Sequence, residues 1–266
     1  GATDAARAAS DMVLTEPGLS VIVDAMLIAR GVFQRMLSFL TYRVSATLQL
    51  VFFFFIAVFA LPPKNYGAVD PNHPEQAEFF HLPVLMFMLI TLLNDGTLMA
   101  IGYDRVVPQP RPQKWNLPAL FFIAAVLAGV ACVSSLMLLW MTLDSIKQYE
   151  DSWFYKMGMP PADYPHIITM IYLKVSISDF LTLFSSRTQD QPFFQYAPSR
   201  ILMVAATVSL FVSTIVATFW PPGTVDGMKV AGLARSFPDT PLSGSSKLLA
   251  LWVWVYCIVW WFVQDA

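Results

Sequence analysis

Charge is what this sequence has least of. Asp, Glu, Lys and Arg make up 13% of its 266 residues, against roughly 25% in an ordinary soluble domain. The formal net charge of −2 leaves no basic footprint, so no nucleic-acid partner is expected. Cysteine is almost missing too. Cys132 and Cys257 both fall inside apolar runs, which excludes a disulfide framework. The three histidines, His73, His81 and His166, have no metal-ligand spacing, so no metal site is expected. The N-terminus lacks the apolar core of a signal peptide. The chain does not begin with Met, and almost no polar tail follows Trp260-Trp261-Phe262-Val263. The expectation is therefore a piece of a longer polypeptide.

What is present is apolar sequence. Hydrophobic residues make up 56% of the chain and the mean hydropathy is +0.58. The fold class this implies is an all-α polytopic membrane protein. Six runs are long enough to span a bilayer, which takes about 20 apolar residues. They lie at about 44–61, 79–103, 117–143, 166–186, 201–220 and 247–264. The third holds Ala124, Ala125, Ala128 and Gly129, a small-residue face suited to close helix packing. The fourth is weaker and holds Lys174 and Asp179. The sixth is rich in Trp and Tyr, which favour the membrane interfaces.

Residues 3–10 read as a short helix capped by Thr3, 11–14 as a strand, and Glu16-Pro17-Gly18 as a turn. That pattern makes 1–19 the end of an α/β cytosolic domain. From about Ser20 to Arg43 apolar residues recur at helical spacing, with Arg30 and Arg35 on other faces. Between Val32 and Leu61 there is neither glycine nor proline. The stalk helix of 20–43 is thus expected to continue unbroken into the first span of a 44–266 transmembrane domain. Lys and Arg favour one set of loops nine to six, which puts both ends in the cytoplasm.

The second span, FFHLPVLMFMLITLLNDGTLMAIGY, carries Asn94-Asp95-Gly96 in its second half. A carboxylate near a membrane centre costs roughly 2.5–3.5 kcal/mol on insertion scales. A glycine beside it weakens the helix where a carbonyl is wanted. One reading is an ion site at a helix unwound around Gly96. The other is a polar helix–helix contact made for packing alone.

The block GATDAARAASDMVLTEPGLSVI, the unbroken helix, Leu93-Asn94-Asp95-Gly96-Thr97 and the later Gly102-Tyr103-Asp104-Arg105 together resemble P-type plasma-membrane proton pumps. They match the end of the phosphorylation domain and membrane helices five to ten. The loops are most similar to those of the protist branch. The resemblance implies that Asp95, supported by Asn94, takes and releases the transported proton. Where the plant pattern has an arginine this chain has Gln49. The fungal Tyr-Arg pair is matched by Tyr42-Arg43, so Arg43 is either the counter-charge or an anchor at the cytoplasmic edge. Lys174 and Asp179 depart from both patterns. They supply either a second polar path with a built-in cation, or snorkelling and interhelical hydrogen bonds.

No phosphorylation loop, Thr-Gly-Glu-Ser loop or nucleotide pocket is present in this sequence. The resemblance therefore implies the C-terminal membrane half of an ATP-driven proton exporter of the plasma membrane. This fragment has no catalytic residue and binds no cofactor; ATP and Mg belong to the full-length enzyme. Its partners are protons, the lipid bilayer and the N-terminal half of the same polypeptide. A pump for calcium or another metal is the first alternative, but such sites need six or more oxygens. Here the first span adds only Ser45, Thr47 and Gln49 to the one carboxylate. A channel or secondary transporter independent of ATP is the second alternative, and the α/β remnant argues against it.

Overall fold

A computed structural model describes residues 3–11, 13, 20–68, 79–106, 114–147, 149–157, 159, 162–188, 197–234 and 247–265. The first element is the short helix α1, Asp4–Ala8, whose Thr3 Oγ1 accepts from Ala6 N. Most of the strand and turn expected over 11–18 lies outside the described residues.

Helix α2, Ser20–Ala60, is a single element of 41 residues, about 60 Å long at 1.5 Å per residue. It runs through Arg43 without a break and stops at Leu61-Pro62, where the residue before a proline is pushed out of the helical region. Helix α3 is Val84–Ala100, tightening into a 3₁₀ turn at Ile101–Tyr103. Helix α4 is Leu117–Lys147, α5 the single turn Trp153–Lys156, and α6 Tyr164–Arg187. Helix α7, Arg200–Phe219, is followed by the strands β1, Gly223–Val225, and β2, Met228–Val230, and then by α8, Lys247–Asp265. Six of these helices are long and apolar enough to cross a membrane, and the chain is a polytopic membrane protein of the all-α class.

The bundle is built around α6. It packs against α2, α3, α4, α7 and α8, and 94% of its apolar window is buried, against 50% or less for every other span. Its mean hydropathy, 1.6, is below the 2.5 of α4. A helix with no lipid face is free to carry Thr169, Lys174, Ser176, Asp179 and Thr182, all buried. Helices α2 and α4 lie side by side and parallel. Phe33 meets Trp115 at one end, with ring centroids 4.7 Å apart, and Lys147 sits over Tyr66 at the other.

The packing divides the small-residue face of α4. Ala124 and Ala128 are buried, but Ala125 and Gly129 are exposed. The two pairs form rows about 100° apart on the helix, and only one row turns inward. In α8, Trp254 Nε1 donates to Thr214 Oγ1, Tyr256 OH to Ser134 O and Trp261 Nε1 to Ser185 Oγ. These polar tips tie α8 to the bundle.

The strands are a feature the sequence reading passes over as loop. Gly223 pairs with Val230 and Val225 with Met228. The turn is Asp226-Gly227, both with positive φ, the Asp-Gly signature of a tight hairpin. Asp226 Oδ2 accepts from Val84 N at 2.8 Å, so the hairpin caps α3.

Candidate functional site

Asn94 and Asp95 are neighbours on α3 that point to different sides of it. Asp95 lies on the outer face of the bundle, where Arg43 Nη1 of α2 donates to its Oδ1 at 2.5 Å; the two side chains are 46% and 54% exposed. Arg43 is thus in contact with the carboxylate. Asn94 points inward and is buried. Its Nδ2 donates to Asp179 Oδ2 of α6 at 2.8 Å. Asp179 is 0% exposed, so of these two carboxylates Asp179 is the enclosed one and Asp95 the half-open one.

Gly96 is where expectation and structure part. The helix is continuous through it to Ala100. The neighbouring buried side chains account for this. Asn94 is tied to α6, while Thr97 Oγ1 bonds to Leu93 O and meets Ser209 Oγ of α7 at 2.9 Å. The turn containing Gly96 is thus anchored on either side. Nothing lies within 4 Å of where a Cβ would stand, so the glycine leaves an open notch next to Asp95.

Lys174 does not snorkel. Its side chain is 1% exposed, and Nζ donates to Ala131 O and Ser135 Oγ of α4. With almost all of α6 buried, it has no lipid face to climb. The interhelical hydrogen-bonding part of that reading is what the structure contains. Lys174 and Asp179 face different helices, as their five-residue separation requires. Gln49 is buried on α2, and neither its Nε2 nor its Oε1 has a partner among the described residues.

The sequence reading misses one node. Asp104 and Arg187 look like loop charges near span ends, yet both side chains are 4% exposed and form an ion pair. Asp104 Oδ1 also accepts from Ser199 N, and its backbone carbonyl from Arg35 Nε, each at 2.9 Å. One aspartate thus joins α2, the end of α3, α6 and the start of α7. The available signal is that Asp104 belongs to the Gly102-Tyr103-Asp104-Arg105 run already singled out.

Chemically, the outer pair sets a guanidinium and a proton in competition for the same oxygen of Asp95. The inner pair holds a second carboxylate by one oxygen and leaves the other, Oδ1, without a partner among the described residues.

No family model matches the chain. It is 63% identical to the probable proton ATPase 1B of Leishmania donovani, and equally to the probable proton ATPase 1A of that organism, in each case over 267 aligned positions that take in the whole chain. It spans 26% of the length of each. From one end to the other, the chain is thus similar to about a quarter of the polypeptide of each of these two proton ATPases.

Proposed function

We propose that this chain is the C-terminal membrane part of an ATP-driven proton pump of the plasma membrane, with Asp95 as the proton carrier and Arg43 as its counter-charge. The observation that carries the reading is the Arg43–Asp95 pair, which joins the long helix α2 to a carboxylate within a span. When α2 shifts and withdraws the guanidinium, Asp95 Oδ1 is free to take a proton. When the guanidinium returns, it displaces that proton. Motion of the 60 Å helix, driven by phosphorylation elsewhere in the polypeptide, is thereby converted into binding and release. The notch at Gly96 gives water access to the same carboxylate.

A fixed cation on the carboxylate also disfavours a metal ion as cargo, since the site already holds its positive charge. ATP and Mg are assigned to the part of the polypeptide outside this chain, because no run of residues here fits a nucleotide or its metal. Both ends of the chain are assigned to the cytoplasm.

The test is Asp95→Asn in the full-length protein. The change is nearly isosteric, so ATP-dependent phosphorylation is expected to persist while acidification of reconstituted vesicles, followed with a pH-sensitive dye, is lost. Wild-type acidification by this variant overturns the assignment. The burial of Asp179 supports a second reading with Asp179 as carrier, and Asp179→Asn in the same assay separates the two.

A further inference from the structure

Helix α2 carries an internal polar stripe that the reading above does not use. Gln34, Ser38, Tyr42, Ser45 and Gln49 are all buried. At 100° per residue they fall within an arc of about 80°, on the side of α2 enclosed by the bundle. Each has a buried polar atom without a partner among the described residues: Gln34 Oε1, Ser38 Oγ, Tyr42 OH, Ser45 Oγ, and both ends of Gln49. Ser38 and Ser45 stand out against their neighbours. Thr41 and Thr47, on the same helix, bond back to Leu37 O and Arg43 O. The two serines make no such bond.

We infer that this stripe is a file of internal water that conducts protons along α2 from the stalk into the bundle. Burying this many unpaired polar groups costs as much as the whole stability of a typical domain, so they are bonded to something small enough to share the interior. A partner from the rest of the polypeptide does not reach atoms already enclosed by this chain. The spacing fits water. Successive members of the stripe are three or four residues apart, roughly 4.5–6 Å along the axis. One water bridging two oxygens spans about 5.5 Å. From Gln34 to Gln49 the stripe runs about 22 Å, out of the stalk and into the first span. Elsewhere in the interior of the bundle, Asp179 Oδ1 and Asn94 Oδ1 are likewise without a partner among the described residues.

Hydration of the file stands by itself, while its conducting role rests on the proton-pump reading. The test takes the full-length protein in lipid vesicles. In the wild type, X-ray radiolytic hydroxyl labelling read by mass spectrometry is expected to modify Tyr42 at least tenfold faster than Phe53, which is equally buried but has no polar atom. Labelling of Tyr42 no faster than Phe53 overturns the file. The double variant Ser45→Ala, Gln49→Leu is expected to keep its thermal midpoint and to lose acidification at least tenfold per ATP hydrolysed. Wild-type acidification by that variant overturns the conduction, even where Tyr42 is labelled. Wild-type acidification by Asp95→Asn removes the carrier assignment instead and leaves the labelling result intact.

Discussion

At Gly232 the backbone itself is in the way of a side chain. A Cβ there would lie 2.5 Å from Trp220 N and 2.7 Å from Thr218 O and Trp220 O. The approach is close because Gly232 N, Leu233 N and Ala234 N donate to Trp220, Ala217 and Thr218 carbonyls at the end of α7, each at 3.0 Å. Gly232→Ala is therefore expected to lower stability by about 1–3 kcal/mol, the usual cost of overpacking, seen as a fall in the thermal midpoint of the full-length protein. Lys174 invites the opposite expectation. Ser135 Oγ already donates to Ala131 O at 2.9 Å, so removing the ammonium strands neither group. Methionine also fills the volume of the stem. Lys174→Met is expected to fold and to acidify vesicles near the wild-type rate; loss of transport at normal expression would show that the ammonium itself takes part.

Among elements, α2 has two attachments to the end of α3, and they differ in kind. Arg43 holds Asp95 on an exposed face, where an ion pair is weak and readily exchanged. Arg35 holds the carbonyl of Asp104, whose side chain is locked to Arg187 in the interior. Breaking a buried pair by removing one partner costs about 3–5 kcal/mol, because the other charge stays buried and uncompensated. Asp104→Ala is thus expected to lower the thermal midpoint of the full-length protein far more than Asp95→Asn. An equal midpoint for the two variants would contradict this division. The fixed attachment gives α2 a fulcrum, and the exchangeable one lies eight residues further along the helix.

For the molecule as a whole, the order of spans sets a topology that is directly measurable. The connection after α2 and the connection after α3 belong to opposite sides. Cysteines introduced at Lys64 and Lys114 in a background without Cys132 and Cys257 are expected to react with an impermeant maleimide from opposite faces of a sealed vesicle. Reaction of both from one face would refute six crossings. The spans were legible from the sequence because length and hydropathy are local properties of each segment. The continuity of α2 from the stalk into the span was legible for the same reason, since the run from Val32 to Leu61 has no glycine or proline to break it. The pairings of the charged residues were not legible. Asn94 and Asp95 differ by one position, about 100° of helix, and no local pattern says which of them faces the bundle. Nor does the weak hydropathy of α6, taken alone, distinguish a poor span from a central one. The tertiary packing decided both. Five helices surround α6 and remove it from lipid, so its Asp179 and Lys174 are held by α3 and α4. The turn of α3 that brings Asn94 to Asp179 sends Asp95 outward to Arg43. The sequence by itself determined which segments are helices of membrane length; the choice of which polar residues meet was made only when those helices were set side by side, because burial and hydrogen bonding across elements are properties of the assembled bundle.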